Sequence, residues 1–476
     1  MLNDVRITVS DGQLASGSGD GVHVKIGASP VAYSGPIAIK NTLAVKRIRE
    51  RLGLSPLADA CMDSLENGAK LIYCIPVTPS TQGTVGEITK APTDADNSST
   101  GTLAISGHPN NRYDIAVKIT KSGGFNEAAL KYSFDGGVSY SDEVTMPVDG
   151  ELAVSPTGLT LAFTEGAGPV KFAVGDLFSA ATTAPQMSND DILKALDHVR
   201  EVRDTVEFVH IVGETTEALW ASLAVEAENF FSIYFKPVFF LVEARRPTAD
   251  ESVRQYVDAL VEARKKVNCY FVQAVAAQGR YTRMDRTTQS INLAGVVSGL
   301  YARAGVAQSI SEIASFQISE EKLLELEPAG VEDELDLLDE AGYLTIRRYE
   351  GYAGFFVTRP NMLSPEGSDY RYAEHVRVLN KAARLVRAAA LLQLHKSINL
   401  DKQDEELEAI GKLISAPLED MADAGEISSG SVEVPTDQDI LHDETLHVIL
   451  RFVPRGYVRT IEVDLGMTNP NAKGAE

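Results

Sequence analysis

The sequence is short of cysteine, of positive charge and of long apolar runs, and each shortage narrows what the chain does. Cys61, Cys74 and Cys269 are the only cysteines in 476 residues. They are odd in number and form no CxxC pair, which argues against a disulfide framework or a cysteine-rich metal site and fits a reducing cytoplasm. Lys and Arg number 44 against 67 Asp and Glu, a net charge of −23, so general attraction to nucleic-acid phosphates is not expected. The greasiest stretch, residues 230–242, is broken by Lys236 and Pro237, and residues 1–12 are polar and acidic without an apolar signal core. Neither secretion by a signal peptide nor membrane insertion is expected.

Catalytic constellations are equally scarce. No GxSxG elbow occurs. Gly17, Gly19 and Gly21 lack the preceding buried strand, the following amphipathic helix and the Lys-Ser/Thr pair of a phosphate-binding loop. His442 and His447 are five apart in a strand-like segment, which points them to opposite faces and spoils a zinc site. His210 ends a strand ahead of Gly213 and Glu214, where α/β enzymes place catalytic groups, but a lone His there reads as hydrogen-bonded structure. Cys269, Trp220 and the cluster Phe230, Phe231, Tyr234 and Phe235 read as core packing. The expectation is no enzyme, with no catalytic, cofactor-binding or metal residue and no cofactor.

What is present is a mixture of two textures. Residues 186–276 alternate helix and strand: Ser188 with Asp191 and Thr248 with Glu251 have capping-box spacing, and strands fall at 206–212, 237–243 and 269–276. A β-α-β-α-β run of this kind calls for a largely parallel sheet with helices packed on it. Helices are also expected near 42–52, where Lys46, Arg47, Arg49 and Arg51 make a basic patch, and at 57–67, 289–303 and 369–398. Residues 69–77 read as a buried strand and 342–357 as a hairpin.

By contrast, residues 80–185 show short alternating segments (101–106, 113–120, 129–134, 159–163 and 170–174) between turn signals, the rhythm of a β-sandwich inserted in a loop. Both chain ends are strand-like: Val5, Ile7 and Val9 alternate with polar residues, as do Val22, Val24 and Ile26 beyond a glycine and serine link, and Ile461, Val463 and Leu465 alternate near the other end.

The fold class expected is therefore an α/β core with an inserted all-β, sandwich-like domain and extended, strand-forming arms. The boundaries are 1–30 for the N-terminal arm, 31–80 with 186–440 for the core, 81–185 for the insert, and 441–476 for C-terminal strands and a linking arm. A free strand exposes unpaired backbone groups unless a partner sheet accepts it, so such arms suit linkage to neighbours.

Charge is unevenly spread. Residues 319–342 carry ten acids against Lys322 alone, and residues 401–426 carry nine against Lys402 and Lys412, which reads as solvated helix faces. On a helical wheel Arg377, Lys381 and Arg384 fall within about 60° of one another, opposite Leu379, Ala383, Val386 and Ala390. Three cations on an exposed helix face are expected, suited to an acidic partner surface.

The order of parts from residue 289 to 466 resembles the tail sheath proteins of contractile phages and related contractile injection systems. The residues that carry the resemblance are the run AGVVSGLYAR at 294–303, GYAGFFVTRP at 351–360, Asp369-Tyr370-Arg371-Tyr372 leading into Val376-Arg377-Val378-Leu379-Asn380-Lys381, and the strand-like C-terminus. The resemblance implies a structural subunit without catalytic residues that polymerises with itself as stacked hexameric rings around an inner tail tube, with a baseplate and tail terminator as further partners. It also implies arms that exchange strands between subunits, an acidic tube surface as the partner of Arg377, Lys381 and Arg384, contraction that drives the tube through a target envelope, assembly in the bacterial host cytoplasm, and a place in a virion tail or injection particle. Another structural component such as a baseplate protein, or an α/β enzyme with an appended β-domain, are the alternatives.

Overall fold

The apolar runs after residue 205 and the alternating run at 22–26 meet in one sheet. In a computed structural model that describes residues 20–91, 99–435 and 438–467, this sheet is built from β1 (His23–Ala28), β2 (Ile37–Lys40), β3 (Leu71–Val77), β4 (Phe208–Thr215), β5 (Phe239–Ala244) and β6 (Val272–Val275). The strand order is β6-β5-β4-β1-β3-β2. All neighbours run parallel except β2, which lies antiparallel to β3 at one edge.

Parallel strands need crossovers, and helices supply them: α1 (Val45–Leu52), α2 (Pro56–Glu66), α3 (Asn189–Val199), α4 (Glu217–Ser232) and α5 (Val253–Arg264), while α6 (Ala294–Arg303) follows the last strand. α2 and α6 pack on one face of the sheet, and α3 and α4 on the other. A sheet covered on both faces is buried on both, so β5 reads as a continuous apolar run rather than an alternating one. The same reason corrects the expectation for residues 22–26. They belong to no arm: β1 is a central strand with all six residues buried, Val24 and Ile26 turned to the α3 and α4 side and His23 and Lys25 to the other.

Local signals held where the contacts are local. Ser188 caps α3 reciprocally with Asp191: the Asp191 N–H donates to Ser188 Oγ at 3.2 Å, and the Ser188 N–H to Asp191 Oδ2 at 2.8 Å. α5 is capped four residues later than expected, by Ser252 with Gln255. Residues 289–303 are not one helix. Thr288–Asn292 is a strand paired with Gln278–Thr282, and α6 begins only after Asn292, whose Oδ1 accepts from the Ala294 N–H.

Between β3 and α3 the described residues form strands and turns only. Two antiparallel sheets, one holding Thr102–Gly107, Leu159–Thr164 and Glu151–Val154, the other holding Asp114–Lys121 between Leu177–Ala181 and Ala129–Ser133, enclose one apolar core around Val117, Leu130, Leu161, Phe163 and Phe178. The expected strand at 170–174 is absent. Phe172 fills the core while the Asp176 carboxylate turns the chain by accepting from the Ala173 N–H.

The chain divides into two compact units, Met1–Leu385 and Val386–Glu476. α7 (Ala373–Leu391) spans the division, a shorter helix than the expected 369–398. The second unit holds α8 (Gln403–Asp423) and the antiparallel pair β7 (Ile427–Glu433) and β8 (Ile449–Pro454). α8 packs on β7 with Leu418 against Gly430. Residues 440–443 form a short helix, so His442 does not lie on the strand expected for it.

Gly299 sets the distance between α2 and α6. A Cβ there would lie 2.6 Å from the Ser64 carbonyl oxygen and 2.6 Å from Asn67 Cβ, backbone and helix stem that cannot swing aside. Gly299→Val should cost ~1–3 kcal/mol through overpacking, read as a lowered urea midpoint; an unchanged midpoint would contradict this packing.

Candidate functional site

Two features of the first unit and one of the second are built for something other than a plain core. The first begins with Glu207, just before β4. Its carboxylate lies in the interior and accepts from the Gly21 N–H at 2.5 Å and from the Arg377 guanidinium, Nη2 to Oε2 at 3.3 Å with a shorter contact from Nε. Arg377 is itself fully buried. Its remaining N–H groups donate to the carbonyls of Tyr301, Ala304 and Gly305, at 3.1, 3.1 and 3.0 Å, at the end of α6.

One turn on along α7, Lys381 pairs with Asp20 at 2.7 Å, and Arg384 donates to the Pro237 carbonyl at 3.2 Å. The three cations expected on an exposed stripe are therefore a correction: they face inward, where α7 lies over the start of β1, the entry to β4 and the end of α6. Asp20 and Gly21, the first described residues, are fixed to α7 by the same cluster.

The second feature lies under α2 and α6. Lys25, wholly buried on β1, donates to His210 Nδ1 at 2.6 Å and to Ser298 Oγ at 2.9 Å; His210 Nε2 lies 3.1 Å from Glu243 on β5. His210 is thus inside β4 rather than at its end. Burial lowers the Lys25 ammonium to about 8, raises the Glu243 carboxyl to about 8, and holds His210 well below the ordinary imidazole range, with the Lys25 charge adding to the last effect. Lys25 is therefore charged, and His210 and Glu243 neutral, at pH 7.

Glu243 also borders a cavity of about 490 Å³ at the carboxyl ends of the parallel strands, lined as well by residues of the β-rich segment such as Asn111 and Thr182. In its wall Arg283 is met by Asp63 at 2.9 Å and Asp59 at 3.3 Å, and Asp59 accepts from Asn111 at 2.7 Å. Arg283, Asp59 and Asp63 thus meet one another within this wall. Sequence reasoning missed Lys25, Glu207 and Glu243; the available signal was a charged residue inside or beside an apolar strand.

The third feature is the open sheet of the second unit. Neither outer edge of the β7–β8 pair has a partner strand among the described residues. Residues 455–467 follow without sheet pairing, and Ile461, Val463 and Leu465 are 78%, 76% and 96% exposed. Val5, Ile7 and Val9, the other expected linking residues, lie outside the described residues.

The sequence matches the N-terminal domain of the family DUF2586 over residues 2–361 and its C-terminal domain over residues 369–472. The chain belongs to the DUF2586 family. No curated protein matches it. Among solved structures it is similar to a chain of the PVC sheath complex, an extracellular contractile injection system in its contracted state, at 13% identity with a TM-score of 0.54 over 98% of this chain and 95% of that one. It is also similar to a chain of the anti-feeding prophage baseplate in its contracted state, at 12% identity and a TM-score of 0.52 over 98% and 97%. A sheath tail protein of Desulfitobacterium hafniense aligns over 95% of this chain and 100% of its own, at 14% identity and a TM-score of 0.48. This DUF2586 chain has a contractile-sheath fold, as the resemblance of its C-terminal half implied.

Two measurements follow from the buried groups of the DUF2586 chain. Arg377→Ala strands the Glu207 carboxylate in the interior and should cost about 3–5 kcal/mol, whereas Arg377→Met with Glu207→Leu, which removes both charges, should cost less. Equal losses in urea unfolding would show that the pair is not what stabilises the site. As pH rises from about 5 to 8, the folded chain retains on Glu243 a proton that the unfolded chain releases. Stability from this group therefore falls by up to ~1.4 kcal/mol per pH unit across that window. Glu243→Gln should abolish this fall, seen by comparing urea midpoints at pH 5.5 and 7.5; parallel midpoints in the two proteins would refute it.

Proposed function

We propose that this chain is the sheath subunit of a contractile tail or injection particle. The observation that carries the reading is the fold shared along 98% of the chain with a sheath complex of a contractile injection system. In this reading, copies stack as hexameric rings around an inner tail tube, meet a baseplate and a terminator at the two ends, and contract to drive the tube through a target envelope. The particle is assembled in the bacterial host cytoplasm.

Linkage between copies falls to the termini. An open two-stranded sheet presents unpaired backbone groups on both edges, and an exposed segment with alternating apolar residues is the kind of chain such an edge accepts. Ile461, Val463 and Leu465 of one copy, and Val5, Ile7 and Val9 of another, would add strands beside β7 and β8. The β-rich segment at 81–185 would be an inserted domain on the outer wall. A baseplate component is the second reading, favoured by the likeness to a chain of the anti-feeding prophage baseplate.

Electron microscopy of the overexpressed chain separates the two. A sheath subunit should form long tubes on its own, with residues 81–185 on the outer surface; discrete particles or monomers would favour the baseplate reading. Deleting residues 457–476 leaves β8 intact and should give a folded chain that forms no tubes. Normal tubes from the truncated chain would show that the linkage does not run through that segment.

A further inference from the structure

Residues 40–51 run against the acidity of the rest of the chain. α1 is seated by Ile48 and Leu52, which join the apolar cluster around Leu57 and Ile72, and Arg49 is turned inward to Asp285. The opposite face is exposed and cationic: Lys46, Arg47 and Arg51 on α1, with Lys40 at the end of the edge strand β2 and Lys70 at the start of β3 beside it. Arg47 is paired only with its exposed neighbour Glu50, at 2.6 Å, and Arg51 donates to the Ala38 carbonyl at 3.2 Å. Lys40, Lys46 and Lys70 make no ion pair among the described residues.

The chain carries one surface of matching chemistry. α8 buries Leu407, Ile414, Leu418 and Met421 and exposes Asp404, Glu405, Glu408, Glu419, Asp420 and Asp423. Lys412 answers Glu408 at 2.8 Å; the other five have no ion pair among the described residues. The second acidic stretch, 319–342, differs in that three of its acids are met by arginines of their own unit. Arg254 meets Glu334 at 3.1 Å, Arg348 meets Glu332 at 3.1 Å and Arg359 meets Asp339 at 3.0 Å.

We propose that the basic face of α1 in one copy docks on the acidic face of α8 in a second copy. This rests on the sheath-subunit reading and names a contact within that polymer. Two different faces of one chain that meet between copies make a head-to-tail contact, which propagates into a ring or a helix instead of stopping at a dimer. Because every copy brings both faces, the stoichiometry is met without another protein. The pairs are exposed and individually weak, so the contact is screened by salt and acts through repetition along the polymer.

The test is a charge swap in the full chain. One variant carries Lys46→Glu, Arg47→Glu and Arg51→Glu; the other carries Asp404→Lys, Glu405→Lys and Glu408→Lys. Each alone opposes like charges at the contact and should lose at least ten-fold of the pelletable polymer formed by the unaltered chain at low salt. An equimolar mixture should regain it, since each variant then meets its complement in the other; recovery on mixing also shows that both are folded. If either variant alone polymerises normally, as it would were an acidic inner tube the occupant of α1, or if the mixture stays unassembled, the contact is refuted. An unaltered chain that never polymerises refutes the sheath reading itself, whereas polymerising unaltered chain with misbehaving variants refutes only this contact.

Discussion

A guanidinium taken out of water has to be met by charge and by acceptors, and Arg377 is met by both. Glu207 supplies the charge, and three carbonyls at the end of α6 take the remaining donors. Through this one side chain α7 is fixed to the entry of β4 and to the helix that covers the sheet, and through Glu207 to the backbone of Gly21, where the described chain enters β1. Removing either partner leaves a buried charge unmet, which is far more costly than losing an exposed pair. The arrangement is therefore all or nothing. In a sheath subunit this is where load would pass, because the N-terminal segment and the helix leading toward the second unit are both held at the same carboxylate.

The sheet beneath is held differently. Lys25, His210, Ser298 and Ser64 form a chain of hydrogen bonds under α2 and α6 in which a single charge is kept, that of Lys25, while His210 and Glu243 stay neutral. A polar network in a sealed core tolerates little rearrangement, since any partner that moves leaves another unsatisfied. In the proposed sheath subunit, a first unit with a satisfied polar interior and a second unit with open sheet edges would serve complementary ends. A subunit that must change its neighbours while remaining linked to them needs an unyielding body and connections made of backbone pairing.

Much of this was legible in the sequence, and the boundary of legibility is physical. The Ser188 and Asp191 cap is a contact between neighbours, and spacing alone reveals it. The parallel sheet could be read from the β-α-β rhythm of residues 206–276. Residues 288–292 could not, because TQSIN has a single apolar residue, shows no alternation and runs directly toward a helix, so that only the pairing with Gln278–Thr282 makes it a strand. Arg377, Lys381 and Arg384 were correctly placed on one face of a helix and wrongly expected to meet solvent. A wheel says which residues lie together, not what lies opposite, and Glu207 stands 170 positions away from Arg377 in sequence. Likewise β1 shows the alternation of a half-exposed strand, yet helices on both faces bury all of it.

In the proposed polymer, copies of the chain link by backbone pairing at the open sheet of the second unit. A helical reconstruction of the self-assembled polymer by cryo-electron microscopy, at a resolution that traces strands, tests it most directly. The expected result is density for residues around 461–465 of one copy paired against β7 or β8 of another. A polymer in which both edges of that sheet remain unpaired, with its copies joined only through side chains, would contradict it.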